Sequence, residues 1–232
     1  MIIAEVGLNH LGDEKLAMRY VYDLVKMRID GITFQVPSKS FFRGSNKYLE
    51  LKTEYIINAL QYTKSMGKSF GLAIGDPEKI LEYENHEVDF YKVLSKDIKN
   101  DALIDEIIKT NKKVFFSTGL SDFHEINNLL EKIKNTNRFE LVHTNLGGEV
   151  ENECLSRIEI LKNKFSISVG YGTHCKNKNA IYLSLAFKPD SLLFYVKIDE
   201  NKIYPDNDHA FILSEVPFLI ENLRDLSKTI KL

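Results

Sequence analysis

The chain of 232 residues carries 31 basic and 33 acidic residues, which gives a net charge of -2 at pH 7. This balance disfavours a nucleic-acid partner, and no apolar run approaches the ~20 residues of a membrane span. The length fits one domain, and a hydrophobic content of 44% allows a sizeable core. The two cysteines match no metal or redox spacing and the first residues do not resemble a signal peptide, so we expect a cytoplasmic protein.

Short apolar runs alternate with amphipathic helical patterns along the chain. The runs are nearly continuous in apolar residues, as expected for parallel strands that are buried on both faces. Helix start signals stand between them, for example at Asp76-Pro77 and at Asp122. The predicted strands are 2–6, 31–36, 68–74, 89–94, 113–118, 139–144, 166–171 and 191–198.

Eight β-α units predict an α/β fold, a single-domain (β/α)8 TIM barrel over residues 1–232. A doubly wound sheet is the structural alternative, but residues 7–12 do not form its G-x-G-x-x-G turn. Two long irregular stretches remain. The stretch 37–51 after the second strand is a candidate lid, and the stretch 199–213 follows the eighth strand.

Polar side chains gather at the predicted strand ends, where a barrel places its ligand site. Glu5 lies within the first apolar run and Lys92 within the fourth. Burying either charge without a partner is costly, so both are predicted to have a functional role. His143 has two open interpretations, a site residue or a hydrogen-bonded core histidine. The further polar residues at predicted strand ends are Asn9, His10, Thr33, Gln35, Ser95, Lys96, Ser117, Thr118, Thr144, Asn145, Tyr171, Thr173, His174 and Lys197.

The chemistry of this set is limited by its residue types. One lysine with several hydroxyl and amide donors suits a small phosphate or carboxylate, and the histidines suit metal binding or proton transfer. In order along the chain, several segments together resemble the sialic acid synthase family (N-acetylneuraminate synthase and its pseudaminic and legionaminic acid relatives). These segments are residues 4–13 (A-E-V-G-L-N-H-L-G-D), 34–35 (F-Q), 91–97 (Y-K-V-L-S-K-D), 116–120 (F-S-T-G-L), 141–145 (L-V-H-T-N), 169–174 (V-G-Y-G-T-H) and 208–211 (D-H-A-F).

The resemblance implies a barrel synthase that condenses phosphoenolpyruvate with an N-acylated aldose, or a related aldehyde, in surface-glycan (nonulosonate) biosynthesis. It also implies a divalent metal, Mn2+ or Mg2+, small-molecule substrates and a possible homodimer. By position it assigns phosphoenolpyruvate binding to the lysine and polar residues of strands four to six, contact with the sugar or the reacting centre to Glu5, and a metal ligand to His174. We therefore predict catalytic roles for Glu5, Asn9, His10 and Gln35, substrate binding by Lys92, Ser95, Ser117, Thr118, His143, Asn145 and Asp208, and metal ligation by His174 and His209.

The chain also departs from the family pattern. Thr33 stands where the family has a phosphate-binding lysine on strand two, and Val196 where it has a second metal histidine on strand eight. Lys39 or Lys197 is a candidate replacement cation, and residues 208–209 are candidate replacement ligands. We also expect no antifreeze-like domain after the barrel, a domain that in the family contributes an arginine across a dimer.

These departures leave alternatives to a working synthase. The main one is a catalytically impaired or reassigned barrel paralogue that binds a sugar or an anion. A lower-ranked one is an unrelated barrel lyase or epimerase acting on sugar phosphates, which needs a phosphate site after strands seven and eight.

Overall fold

The computed structural model describes residues 1–134 and 137–230. Eight parallel strands are hydrogen-bonded in chain order, and the pairing of the first with the eighth closes the barrel. The predicted TIM barrel is therefore confirmed. The strands are β1 (Ile2–Gly7), β2 (Gly31–Val36), β3 (Ser69–Ile74), β4 (Phe90–Val93), β5 (Lys113–Ser117), β6 (Phe139–His143), β7 (Ser168–Thr173) and β8 (Leu192–Lys197), and a short strand β9 (Phe211–Ile212) pairs with β8.

Helices cover the outside of the barrel. They bury their apolar stripes against the outward-facing side chains of the strands, as the 3.6-residue periodicity predicts. No helix within the described ranges is long and apolar enough to span a membrane. The helices are α1 (Glu14–Leu24), α2 (Thr53–Ser65), α3 (Ile80–Glu84), α4 (Asp101–Lys109), α5 (Phe123–Ile133), α6 (Arg157–Phe165), α7 (Ala180–Ser184) and α8 (Val216–Thr229).

Local signals agree with these boundaries. The Asp122 carboxylate accepts the backbone N–H of Glu125, whose side chain in turn accepts that of Asp122, so a capping box begins α5. Asp76 caps a single 3-10 turn, Pro77–Lys79, and α3 begins only after it. The N-terminal signal at Asp76 was correct, but the continuous helix that it suggested is split.

The inside of the barrel is stacked in two layers. A small apolar cluster fills the lower layer. Because side chains alternate along a strand, the residue two positions after each member of this cluster also points into the barrel and forms the upper layer. The register of the strands agrees with these layers, since Glu5 on β1 is paired with Thr33 on β2 and with Tyr195 on β8. The lower layer contains Ile3, Phe90, Phe115, Val142 and Leu193, and the upper layer contains Glu5, Lys92, Ser117 and Tyr195.

The stretch after β2 folds back over the start of the chain. It contains a 3-10 helix, Gly44–Leu49, which lies against the turn between β1 and α1. Gly12 makes this contact possible, because its φ is +71° and an added Cβ would lie 2.2 Å from the Tyr48 carbonyl oxygen. The β1 turn and the candidate lid are thus packed together.

Candidate active site

A buried ion pair lies at the centre of the barrel mouth. Lys92 Nζ is 2.6 Å from Glu5 Oε1, and each side chain is only 3% exposed. A charged lysine and a charged glutamate are tolerated at this depth because each offsets the desolvation cost of the other. The second oxygen, Glu5 Oε2, is buried, and no hydrogen-bond partner for it exists among the residues that the structure describes. The pair therefore leaves one buried carboxylate oxygen available as an acceptor beneath the mouth.

A cleft of about 280 Å³ opens above this pair. Ser95 fixes one side of it, because its hydroxyl accepts the backbone N–H of Gly119 at 3.1 Å and so joins the end of β4 to the end of β5. The cleft lining contains two ammonium groups, hydroxyls, an amide and an imidazole. Its lining residues are Gln35, Lys92, Leu94, Ser95, Lys96, Ser117, Leu120, Thr144, Leu146, His174 and Tyr195.

Asn9 links the turn after β1 to the segment after β8. Its side-chain amide donates to the Val196 carbonyl oxygen at 2.9 Å, and its Oδ1 accepts the backbone N–H of Asp206 at 3.1 Å. Lys197 adds a second tie, with Nζ 3.0 Å from the Asn207 carbonyl oxygen and 3.2 Å from its Oδ1. The segment after β8 is thus held in place over the barrel by buried polar groups.

The segment delivers a carboxyl group to the site. Burial, and next the negative charge of Glu5, raise the pKa of Asp206 to about 7, whereas Lys92 opposes the shift. Gly7 leaves the space for this approach. Its φ is +56°, and an added Cβ would lie 2.8 Å from the Tyr195 ring and 3.0 Å from Asp206 Oδ2.

Two imidazoles lie beside each other at the strand-eight side. The ring centroids of His174 and His209 are 4.4 Å apart, and the Tyr195 ring meets them edge-on at 5.2 and 5.1 Å. Burial is the main cause that lowers the pKa of both histidines, to about 4 for His209. Both rings are therefore neutral at pH 7. His209 Nε2 lies 3.7 Å from Asp206 Oδ1 and has no hydrogen-bond partner within residues 1–134 and 137–230.

This pair of imidazoles does not complete a metal site. Among residues 1–134 and 137–230, no three His, Cys, Asp or Glu side chains gather as a set that could hold a metal ion. Catalytic metal sites of this kind use three protein ligands and leave one further position open. The residues present do not fit that requirement, and we derive no chemical step through a metal here. Ligation by His174 and His209 stays a prediction.

Comparison with known proteins identifies the family. The sequence profile of the NeuB family matches residues 33–231. The chain belongs to the NeuB family. Related chains include the uncharacterized protein MJ1065 of Methanocaldococcus jannaschii, which is 29% identical over 98% of this chain and 71% of its own length. The N,N'-diacetyllegionaminic acid synthase of Campylobacter jejuni is 24% identical over 98% of this chain and 76% of its own.

Solved structures agree with the fold. The sialic acid synthetase of Leptospira borgpetersenii matches this NeuB-family chain with a TM-score of 0.91 at 23% identity, over 100% of this chain and 85% of that one. The spore coat polysaccharide biosynthesis protein spsE of Bacillus subtilis matches with a TM-score of 0.88 at 20% identity, over 99% and 68%. The family profile confirms the family resemblance that we noted in the sequence, and these structures confirm the fold.

The structure brings most of the predicted residues of this NeuB-family chain to one mouth. Gln35, Lys92, Ser95, Ser117 and His174 line the cleft, with the Glu5 carboxylate paired to Lys92. Other predicted residues lie at the edge of this group. Asn145 Oδ1 accepts the backbone N–H of Gly147, Asn9 and His209 lie on the strand-eight side, and His10 lies against Phe34 with its Nδ1 accepting the Gly12 N–H.

Three predicted substrate-binding residues are not brought to the cleft. His143 faces the helical shell, where its Nε2 lies 2.9 Å from the Glu153 carbonyl oxygen, so the alternative of a hydrogen-bonded core histidine describes its position. Thr118 directs its hydroxyl to the Val142 carbonyl oxygen at 3.2 Å. Asp208 is exposed and does not line the cleft.

Sequence reasoning missed two residues on the strand-eight side. Our comparison placed Val196 at the position of the family's second metal histidine, but Val196 is part of the outer core, and Tyr195 is the strand-eight residue that faces the mouth. Asp206 lies close enough to Glu5 for the two charges to interact, although the motif pointed to Asp208. Asp206 stands in the same stretch, two residues before Asp208, but no local pattern distinguished it.

Neither proposed replacement cation is free in the cleft. Lys39 pairs with Glu78 at 2.8 Å and lines a separate cleft of about 510 Å³, which shares only Gln35 with the first. Lys197 is committed to Asn207. Replacement of the lost strand-two cation by either lysine is therefore not supported by their positions.

Proposed function

We propose that this protein is a synthase that joins phosphoenolpyruvate to an N-acylated aldose or a related aldehyde. One observation carries the proposal: the buried Glu5–Lys92 pair stands beneath a solvent-open cleft whose wall includes the hydroxyls of Ser95 and Ser117. An anion recognised by a lysine and several hydroxyl donors suits this arrangement. Family membership and the named synthases among the relatives support the same reaction class.

The reaction that we propose balances with water as the one reactant besides the two substrates. The C3 carbon of phosphoenolpyruvate attacks the aldehyde carbon, and a C–C bond forms while the aldehyde oxygen becomes a hydroxyl by taking up a proton. Water then adds to C2, and phosphate leaves with its oxygen to give a 2-keto acid. Holding both reactants in one small cleft provides the proximity on which such a two-substrate step depends.

The residues have separate tasks in this scheme. Lys92, Ser95 and Ser117, which line the cleft, bind the anionic substrate. Glu5 Oε2 lies buried beneath them with no hydrogen-bond partner among the described residues, and it accepts a hydrogen bond from a hydroxyl of the acceptor when the acceptor enters the site. Gln35 lies at the shared wall of the two clefts, where the acceptor extends out of the mouth. The neutral imidazoles on the strand-eight side complete the polar lining.

Phosphate release tests the proposal. Purified protein is mixed with phosphoenolpyruvate, Mn2+ and a panel of N-acylated hexosamines, and free phosphate and the 2-keto acid product are measured. We expect acceptor-dependent release that Lys92→Ala abolishes and that Lys39→Ala, a change in the separate cleft, leaves unchanged. No release above the Lys92→Ala background, together with retained binding of phosphoenolpyruvate, would instead favour the anion-binding paralogue.

A further inference from the structure

The charges in the cleft do not balance the proposed substrate. Phosphoenolpyruvate carries a carboxylate and a phosphate, but the charge of Lys92 is already offset by Glu5 at 2.6 Å. The strand-two position that holds a cation in the resembled pattern is the uncharged Thr33, which is buried and whose hydroxyl has no partner in the described part of the chain. A desolvated phosphate needs a further cation or several donors to be bound well.

Lys96 is a second cation at this mouth. It follows Ser95 in the single 3-10 turn Ser95–Asp97 and lines the same cleft as Lys92. Its side chain is exposed, and no ion pair within 4.0 Å joins it to a carboxylate in the parts of the chain that the structure describes. The neighbouring Lys99, by contrast, is paired with Glu125.

An aromatic ring from the candidate lid lies against this lysine. Lys96 Nζ is 5.6 Å from the centroid of the Phe41 ring, within the range of a cation–π contact. Phe41 belongs to the stretch after β2, the strand that carries Thr33. The contact restricts the ammonium group to the rim of the cleft without neutralising its charge.

We propose that Lys96 supplies the phosphate-binding cation that strand two lacks, with Phe41 holding its ammonium group at the rim of the cleft. This inference rests on the proposed function, because it assigns one half of the phosphoenolpyruvate site. In this arrangement the two anionic groups of the substrate are bound by different residues. Lys92 and the hydroxyls of Ser95 and Ser117 bind the carboxylate, and Lys96 binds the phosphate at the open side of the cleft.

The position of Lys96 also explains why the other lysines are poor candidates. Lys39 is engaged by Glu78, and Lys197 is engaged by Asn207. A charge that is already paired gains less from a phosphate than a charge that is free, since the first pair has to be broken. Within the described ranges Lys96 has no carboxylate partner, and it lines the cleft directly after Ser95 in the chain.

Calorimetric titration with phosphoenolpyruvate and with pyruvate separates the two roles. Pyruvate keeps the carboxylate and lacks the phosphate, so only phosphoenolpyruvate reports on Lys96. We expect Lys96→Ala to weaken phosphoenolpyruvate binding by about 10- to 100-fold, which is the usual value of a hydrogen bond to a charged group. Pyruvate binding is expected to be unchanged. Lys96→Arg should retain phosphoenolpyruvate binding, and Lys39→Ala serves as the matched lysine control.

A second variant tests the part played by the ring. Phe41→Leu keeps an apolar side chain and removes the cation–π contact, and we expect a smaller loss of phosphoenolpyruvate affinity, about 2- to 5-fold. Equal phosphoenolpyruvate affinity in wild type and Lys96→Ala would overturn the inference while leaving the proposed function intact. An equal loss for pyruvate would overturn it too. A wild-type protein that binds no phosphoenolpyruvate would overturn both the inference and the proposed function.

Discussion

The two sides of the barrel mouth are built in different ways. On the side of β1 and β4, the chemical groups come from strand residues that face each other across the barrel, with Glu5 and Lys92 at 2.6 Å. On the side of β8, they come from a long segment that is tied back over the mouth through Asn9. Strand residues are fixed by register and alternation, whereas the segment is fixed by a few polar contacts between residues far apart in the chain.

This difference decides how each side tolerates change. The first side contains two charges that depend on each other in a dry interior, so removal of one is severe. The second side contains neutral imidazoles, a carboxyl with a raised pKa and a tyrosine. The arrangement of these groups depends on how the segment after β8 is held over the mouth. Variants on the two sides should therefore fail in different ways, one by loss of charge balance and the other by loss of local order.

The largest effect is expected for Lys92→Ala. The variant leaves the Glu5 carboxylate buried without a partner, and we expect it to lose about 3–5 kcal/mol of unfolding free energy, together with phosphoenolpyruvate binding. Urea denaturation measures the loss. The double variant Glu5→Gln with Lys92→Met removes both charges, and we expect it to recover most of the stability without recovering binding. Full stability in the single variant would contradict a charged pair.

A pH-dependent effect is expected from Asp206. Its pKa is raised to about 7 in the folded protein against 3.8 when exposed, so the folded state keeps a proton that the unfolded state releases. Stability contributed by this group is therefore present below about pH 4 and is lost as the pH rises to 7, by at most about 4 kcal/mol.

Comparison with Asp206→Asn isolates this contribution, because the other titrating groups are present in both proteins. The stability of wild type relative to the variant should fall between pH 4 and pH 7 in urea denaturation. A difference that is flat over this range, or that rises, would show that Asp206 is ionised in the folded protein.

Asn9→Ala should loosen the strand-eight side alone. The change removes both ties of the Asn9 side chain and leaves the buried Val196 carbonyl oxygen without this donor. We expect a loss of about 2 kcal/mol and faster amide hydrogen exchange in residues 204–210, with exchange in β4 unchanged. Asn127→Ala, which removes an exposed contact to Glu131 on α5, is the control and should change neither.

Tyr195→His tests the metal question from the same side. The Tyr195 ring lies against both His174 and His209, so an imidazole in its place would add a third nitrogen ligand. We expect Mn2+ affinity, measured by calorimetry, to rise about tenfold or more. Tyr195→Phe keeps an aromatic ring and adds no ligand, and an equal gain in that variant would point to a cause other than ligation.

Much of the barrel could be predicted from the sequence, because a parallel strand that is buried on both faces leaves a continuous apolar run. Glu5 and Lys92 were visible for the same reason, as charges inside such runs. The runs did not define which residues face inward. A shift of one residue exchanges the two faces of a strand. The family comparison therefore placed Val196 at the position of a metal histidine, whereas in the structure Tyr195 is the residue of β8 that faces the mouth.

The strand-eight side could not be predicted in the same way. Asp206 reaches the site through the Asn9 tie and the space left by Gly7, contacts that join residues almost 200 positions apart. No local pattern encodes such a contact. His143 shows the converse, because an apolar run that ends in a histidine looks the same whether that histidine faces the mouth or, as here, the helical shell.

A crystal structure with bound phosphoenolpyruvate tests the central claim most directly, since it shows which side of the mouth holds the substrate. We predict that the ligand occupies the cleft above the Glu5–Lys92 pair, with oxygens within hydrogen-bond distance of Lys92, Ser95 and Lys96. Phosphoenolpyruvate bound in the separate cleft beside Lys39, or held only by the strand-eight imidazoles, would contradict the account.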